Sequence, residues 1–257
     1  MEVNDIINTA KIAVDKHGFK ALVLQSGEDG YYDEKKLVKI VKEIRKLNVL
    51  IFLSIGQREK KLYKKLFKAG ARAVLLRFET SNEDIFNRLR PGTSLKERIQ
   101  LIRDLKGMGY ILATGFIIGL PGETNKDIIN NILLAKSLKA DMYSFGPLMP
   151  AKGTPLANYP KPLKDLILKI ISITRFVDRK SKILITTAFE TLDNDAKKEG
   201  LLAGANSLMV NITPKNYAEL YSIYDNRACI TEDIGKNVKD TVELLYSIGR
   251  APTDLGI

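Results

Sequence analysis

Cysteine occurs once in these 257 residues, at Cys229, histidine once, at His17, and tryptophan not at all. One thiol excludes a disulfide framework and any metal site built only from cysteines of this chain. Cys229 on its own reads as a small structural residue. No run of about eighteen apolar residues is present, so a membrane-spanning helix is excluded. The start, Met1-Glu2-Val3-Asn4-Asp5, lacks the basic-then-apolar order of a signal peptide. These absences point to a cytoplasmic chain with no membrane partner. With 45% hydrophobic and 28% charged residues, the composition is that of a folded domain, not a disordered one.

Acidic residues are the minority charge: 30 against 41 Lys and Arg, a net charge of +11. Such a surplus invites a nucleic-acid reading. However, the densest run, Lys60-Lys61-Leu62-Tyr63-Lys64-Lys65-Leu66-Phe67-Lys68, sets Leu62, Leu66 and Phe67 at helical spacing. That pattern describes an amphipathic surface helix, and no nucleic-acid-binding motif accompanies it. We expect no nucleic-acid partner.

Short apolar runs alternate with amphipathic stretches throughout. Seven runs read as strands: Ala21–Gln25, Val49–Ser54, Ala73–Phe78, Ile111–Ile118, Asp141–Gly146, Ile183–Ala188 and Leu208–Ile212. Helical patterns lie between them, such as Asp33–Leu47 with Leu37, Ile40, Val41, Ile44 and Leu47 on one face. Glycines mark helix ends at Gly70 and Gly107–Gly109, Ser94 and Glu97 form a candidate capping box, and His17 before Gly18 reads as a helix cap. The expected fold class is α/β, a parallel sheet curling into a TIM-type barrel. The chain opens with a helix over Val3–His17, so seven of eight βα units are expected. The first strand and its loop would lie before Met1, leaving an open, less stable seam beside Ala21–Gln25. We expect a single barrel domain over residues 1–257 with a helical tail from about residue 230. Pro147–Pro162 reads as a long βα loop over the barrel mouth.

Barrel chemistry sits on the loops after strand C-termini, and several here carry polar residues or glycine. Gln25-Ser26-Gly27-Glu28-Asp29 follows the first strand and Arg77-Phe78-Glu79-Thr80 the third. Gly115-x-Ile117-x-Gly119-Leu120-Pro121-Gly122-Glu123 closes the fourth, and Thr186-Thr187-Ala188 the sixth. Read alone, Glu79 with Arg98 fits an ordinary ion pair between a strand end and a helix, and Gly119–Gly122 a turn. Tyr217, Tyr221 and Tyr224 read alone as packing residues at helical spacing.

Taken together, these motifs resemble the radical SAM superfamily, in its biotin-synthase-like branch. Ser26-Gly27-Glu28-Asp29 is similar to that family's Gly-Glu motif, and the Gly115–Glu123 run to the strand that lies along adenine. Leu89-Arg90-Pro91-Gly92-Thr93-Ser94, Gly146-Pro147-Leu148-Met149-Pro150 and Thr213-Pro214-x-x-Tyr217-x-x-Leu220-Tyr221-x-x-Tyr224 are shared in style with the HydE-type FeFe-hydrogenase maturases. The resemblance implies an enzyme with two cofactors, S-adenosylmethionine (SAM) and a 4Fe–4S cluster, which together generate a 5′-deoxyadenosyl radical. Its implied partners are a small-molecule substrate of amino-acid or thioether type, an external electron donor and hydrogenase-maturation proteins. It assigns Glu79 and Arg98 to the methionine end of SAM, with Ser26 and Glu28 beside them, and Ile117 and Met142 to adenine. It assigns Arg77, Thr186, Thr187, Met209, Tyr221 and Tyr224 to the substrate.

Two departures stand against it. The family's Cys-x-x-x-Cys-x-x-Cys motif is absent, so the cluster ligands are expected upstream of Met1, with the missing strand. Where HydE-type sequences carry His, and later His-Pro-Asp, this chain has Phe78 and Ala151-Lys152-Gly153. HmdB-type Fe-hydrogenase maturases and PylB-type methylornithine synthases therefore stay open as alternatives. A cluster-free barrel that binds SAM or another metabolite stays open as well.

Overall fold

A computed structural model of the chain describes residues 1–221, 223–228 and 233–253. Helix α1 (Val3–His17) precedes β1 (Ala21–Gln25), α2 (Glu34–Arg45), β2 (Leu50–Ser54), α3 (Lys60–Ala69) and β3 (Ala73–Leu75). Two helices, α4 (Glu83–Leu89) and α5 (Leu95–Gly107), then lead to β4 (Ile111–Thr114). The short β5 (Ile117–Ile118) continues the line of β4. After α6 (Asn125–Ser137), β6 (Met142–Ser144) is continued by β7 (Gly146–Pro147). Then come α7 (Lys164–Val177), β8 (Lys182–Leu184), α8 (Thr187–Leu192), α9 (Ala196–Leu202), α10 (Lys215–Ala218) and α11 (Ile234–Ser247).

Six strands form one parallel sheet in the order β1-β2-β3-β4-β6-β8, and β5 pairs with β7 as an upper extension. Chain order and sheet order coincide, as βα crossovers of one hand require, and the sheet curls into an open barrel. Strand alternation divides the side chains. Leu22, Ile51, Leu53, Val74, Leu112, Tyr143 and Ile183 point outward into the main core beneath the helices. Val23, Phe52, Leu75, Ala113 and Met142 point inward as a second apolar cluster.

The expected seventh strand does not form. Ser207 makes a single parallel bridge with Leu184, and residues 208–212 carry no ladder. The reason is local: β8 ends at Leu184 and the chain turns into α8 at Thr187, so these residues have no neighbour to pair with. An Asx turn, with Thr213 N–H donating to Asn211 Oδ1 at 3.0 Å, ends the extended stretch. Among the described residues no strand pairs with the outer edge of β1. Residues 206–213 and α11 instead lie across the gap between β1 and β8, enclosing a cavity of about 1770 Å³.

Local signals behave as chemistry dictates, with three adjustments. At the end of α1 the cap is the Gly18 backbone, left-handed at φ 67°, whose N–H reaches Val14 O; His17 merely occupies the last turn. Ser94 accepts from Glu97 N–H as expected, while the complete two-way capping box forms at Thr124 and Asp127. On α3 the buried stripe is Tyr63, Leu66 and Ala69, with Leu62 and Phe67 as half-buried flanks. The tail contains α11, whose N-cap Asp233 accepts from Lys236 N–H. Cys229 lies outside the described residues.

Tyr63 connects this packing to the barrel mouth. Its ring is fully buried, and its hydroxyl donates to Gly56 O at 2.7 Å, holding the loop after β2. Tyr63→Phe is expected to destabilise the chain by about 1–2 kcal/mol, since Gly56 O loses its donor in a water-poor site. Urea unfolding checks it.

Candidate active site

The C-terminal ends of β1, β2 and β3 converge on one buried guanidinium. Arg98, on the first turns of α5, is 3% exposed. Its Nε donates to Arg77 O at 2.6 Å, and its Nη1 lies 3.3 Å from Gln57 Oε1 and 3.4 Å from Glu28 Oε1. Its Nη2 is 3.7 Å from Glu79 Oε1. Two further cations join. Arg90 Nη2 is 3.2 Å from Glu28 Oε1, and Arg77 Nε is 3.3 Å from Glu79 Oε2. Three guanidiniums thus face two carboxylates, leaving the cluster with one positive charge in excess.

Each carboxylate is held in a different way. Burial alone would raise the Glu28 pKa, but the Gln57 N–H at 3.0 Å, Arg90 and Arg98 outweigh it and leave it below the ordinary range. The side chain lies against Gly56, where a Cβ would stand 2.1 Å from Glu28 Cγ, so only glycine fits there. Arg98 is pushed below the usual arginine range by burial, against the opposing pull of Glu79 and Glu28. Glu79 sits at φ 68°, a conformation costing a non-glycine residue about 1–2 kcal/mol. Gly115 O holds it there by accepting from both Phe78 N–H, at 2.9 Å, and Glu79 N–H, at 3.2 Å. Ile117 N–H closes the motif on Glu79 O at 2.9 Å. Gly115 can approach because it lacks a side chain: a Cβ would stand 2.1 Å from Ser144 O. Glu79 Oε2 is buried without a hydrogen bond, beside Arg77 only as an ion-pair neighbour. A strained carboxylate with one oxygen lacking a hydrogen bond thus stands next to a buried guanidinium, so both charge signs are presented at one point of the strand ends.

The sequence-derived residues separate into two groups. Glu28, Glu79 and Arg98 form the cluster, and Ile117 joins it through its backbone. Arg77, assigned from the sequence to the substrate, touches Glu79 itself. Ser26, Met142, Thr187, Met209 and Tyr221 line the cavity. Met142 is not beside Ile117. It pairs with Ala113, whereas Ile117 pairs with Gly146, four steps or roughly 13 Å further along the strands. Thr186 abuts Gly146 at the β8 end. The three tyrosines diverge, because helical geometry ends at Tyr221. Tyr217 donates to Asp5 Oδ2 at 2.6 Å on α1, and Tyr224 is half-buried on the segment beyond. Sequence reading passed over Gln57 and the role of Arg90. The signal for Gln57 was its place, three residues after β2.

The described residues include no set of thiolates for an iron–sulfur cluster. A 4Fe–4S cluster is held by cysteine thiolates. Among the described residues no group of three or more His, Cys, Asp or Glu is placed to hold a metal.

A family model described as the Radical SAM superfamily matches residues 1–135, and one described as the Biotin and Thiamin Synthesis associated domain matches residues 144–241. The six-stranded sheet runs through both spans, with β1 to β4 in the first and β8 in the second. The [FeFe] hydrogenase maturase subunit HydE of Thermotoga maritima is 38% identical over 252 residues, covering 98% of this chain and 72% of that protein. The 3-methylornithine synthase of Methanosarcina barkeri is 29% identical over 259 residues, covering 98% and 70%. The crystal structure of methylornithine synthase (PylB) superposes with a TM-score of 0.84 at 26% identity, covering 99% of this chain and 74% of that one.

Two outcomes follow from the geometry. Glu79→Gly and Glu79→Ala remove the same carboxylate, but only alanine keeps the left-handed strain. The glycine variant is expected to be more stable by about 1 kcal/mol in denaturant unfolding. Glu123 carries the second pH signature. Burial pushes its carboxyl up to about 7, against the Gly119 and Leu120 N–H groups that favour the anion. With its folded pKa above the unfolded value of 4.5, its favourable contribution is complete below that value and lost as pH rises through the folded one. Glu123→Gln should therefore gain stability over the parent between about pH 5 and pH 8. Melting curves across that range check it.

Proposed function

The chain belongs to the radical SAM superfamily, and from that premise we propose that it binds SAM at the Glu79–Arg98 cluster and acts on a small molecule held in the barrel cavity. The family's chemistry is enzymatic: SAM with a 4Fe–4S cluster supplies a 5′-deoxyadenosyl radical. The observation that carries the reading is the state of Glu79, left-handed and half-buried with its Oε2 shut from water and without a hydrogen bond, beside the buried Arg98.

In this reading Arg98 takes the carboxylate of the methionine end and Glu79 its ammonium, with Glu28 and Ser26 at the edge. Ile117, which continues the β4 line past Gly115, lies along the adenine. Met142, deeper in the interior cluster, forms the apolar wall beneath. Thr187, Met209 and Tyr221 on the cavity wall contact the substrate, with Arg77 beside Glu79, and with Thr186 and Tyr224 as their chain neighbours, completing the set. The protein's own part is to orient these groups and keep water from the reacting atoms. One barrel domain performs both tasks, with α11 as its closing tail. An external electron donor would serve the cluster.

A role in hydrogenase-metallocofactor maturation is the finer proposal, supported by the higher identity to HydE than to the 3-methylornithine synthase. Phe78 distinguishes this chain within that reading. It is fully buried and packs near Phe116, which stacks on Phe145 at 5.0 Å between ring centroids, so it offers no polar group to a substrate. The substrate type in this reading is the one the HydE likeness implies, amino-acid or thioether, with no contact from Phe78.

SAM titrated calorimetrically into the chain tests the site. Glu79→Ala and Arg98→Ala should each weaken binding by about 1.5–3 kcal/mol, the worth of a hydrogen bond to a charged group. Lys65→Ala, on the outer face of α3, should leave it unchanged. Parent-like affinity in both site variants, with stability alone reduced, would make the cluster a structural ion-pair network.

A further inference from the structure

The cavity wall has a charge that the strand-end cluster does not account for. Among the described residues its lining includes Lys20, Arg175, Arg179, Lys182, Arg227 and Arg250, against one acid, Asp141. That acid is already engaged, accepting from Lys106 Nζ at 2.5 Å and from Leu112 N–H at 2.7 Å. A concave site with surplus positive charge favours an anionic occupant.

Two of these cations have structural work at the N-terminal end of the strands. Arg175 donates to the carbonyls of Gly204, Asp178, Arg179 and Ser181, and Arg250 donates to Ala205 O. Both staple loops. Lys20, Arg179 and Lys182 are exposed, and water satisfies them.

Arg227 differs in place and in state. Its Nη1 donates to Tyr221 O at 3.2 Å, and the next N–H, of Ala228, donates to Thr191 Oγ1 on α8 at 2.9 Å. These two anchors set it between Tyr221 and α8, at the cavity end that Thr187 also lines. The residue is half-buried, and its Nε is shut from water with no hydrogen-bond partner. Among the described residues no carboxylate forms an ion pair with it. A buried N–H of this kind carries a standing cost that an arriving acceptor removes. Its planar fork matches a carboxylate in geometry as well as in charge.

We propose that Arg227 forms an anion subsite at the upper end of the cavity, and that the substrate presents a carboxylate to it. The word substrate rests on the radical SAM reading; the subsite does not. A neutral occupant would leave the guanidinium unpaired. A cationic one would meet a wall of its own sign.

Succinate is the probe, titrated calorimetrically into the full chain at constant ionic strength. The parent and Arg179→Ala should show saturable one-to-one binding. Arg227→Gln should bind about tenfold more weakly or worse, and Arg227→Lys, which keeps the charge without the fork, should fall between. Circular dichroism melting of each variant confirms folding. If Arg227→Gln does not fold, Arg227→Lys decides: weaker binding than the parent supports the subsite. Equal binding in the parent and the Arg227 variants overturns it. So does loss of binding in Arg179→Ala, or no saturable binding in the parent. SAM titration separates the two readings. Arg227-dependent succinate binding without SAM binding leaves the subsite and removes the cofactor site, and the reverse removes the subsite alone.

Discussion

Taking a guanidinium out of water is costly, several kcal/mol for an isolated ion, so a buried arginine has to recruit partners from whatever surrounds it. Arg98 meets this requirement by drawing on three strand ends at once: the Arg77 carbonyl and the Glu79 carboxylate after β3, Gln57 after β2, and Glu28 after β1. Those loops lie where they do because each supplies an oxygen to the same group. Glu28 is held across from Glu79 by Arg98 together with Arg90 and the Gln57 N–H, while its side chain stays 42% exposed. The cluster is thus a network in which the removal of one member leaves the others under-satisfied, and its members will not contribute additively.

The second constraint is steric. Gly115 passes so close to Ser144 that a methyl group cannot enter, and this approach lets the Gly115 carbonyl accept two N–H donors from the β3 end. The left-handed turn at Glu79 is the result. Backbone strain at a charged residue persists only where surrounding bonds over-determine it, and here it aims a carboxylate at the cluster instead of at solvent. The β5–β7 pair beyond Gly115 carries the barrel wall upward past the main sheet, so Ile117 stands above the apolar interior where Met142 lies. The charge cluster at the strand ends stands apart from the cavity wall, which is apolar in its middle and carries Arg227 beside Tyr221.

Much of this was legible in the residues. Apolar runs of five or so separated by amphipathic stretches predict βα alternation, and β1, β2 and α1 lie where periodicity puts them because burial of one face decides those elements. Glu28 and Glu79 were legible as acids after strand ends, whereas Arg98, on a helix, was singled out only by the family resemblance; the structure brings the three together. Leu208–Ile212 was misread as a strand since its apolar pattern is genuine, yet a strand needs a partner, and β8 turns away before one is available. The tyrosines after Pro214 follow the same logic: their spacing is helical, but the helix stops at Tyr221 and only that ring lines the cavity.

What the sequence determined by itself is therefore whatever depends on near neighbours along the chain: helix and strand identity, caps, the inward and outward faces, and the charged residue types placed at strand ends. Tertiary structure alone decided which of those charges meet. Arg90 and Gln57 join Glu28 from positions 62 and 29 residues away in the chain. Arg77 turns to Glu79, and among the described residues no acid pairs with Arg227 at the cavity wall. No local pattern encodes such pairings, because they are set by the curl of the sheet and by the demand that every buried charge find a partner in space.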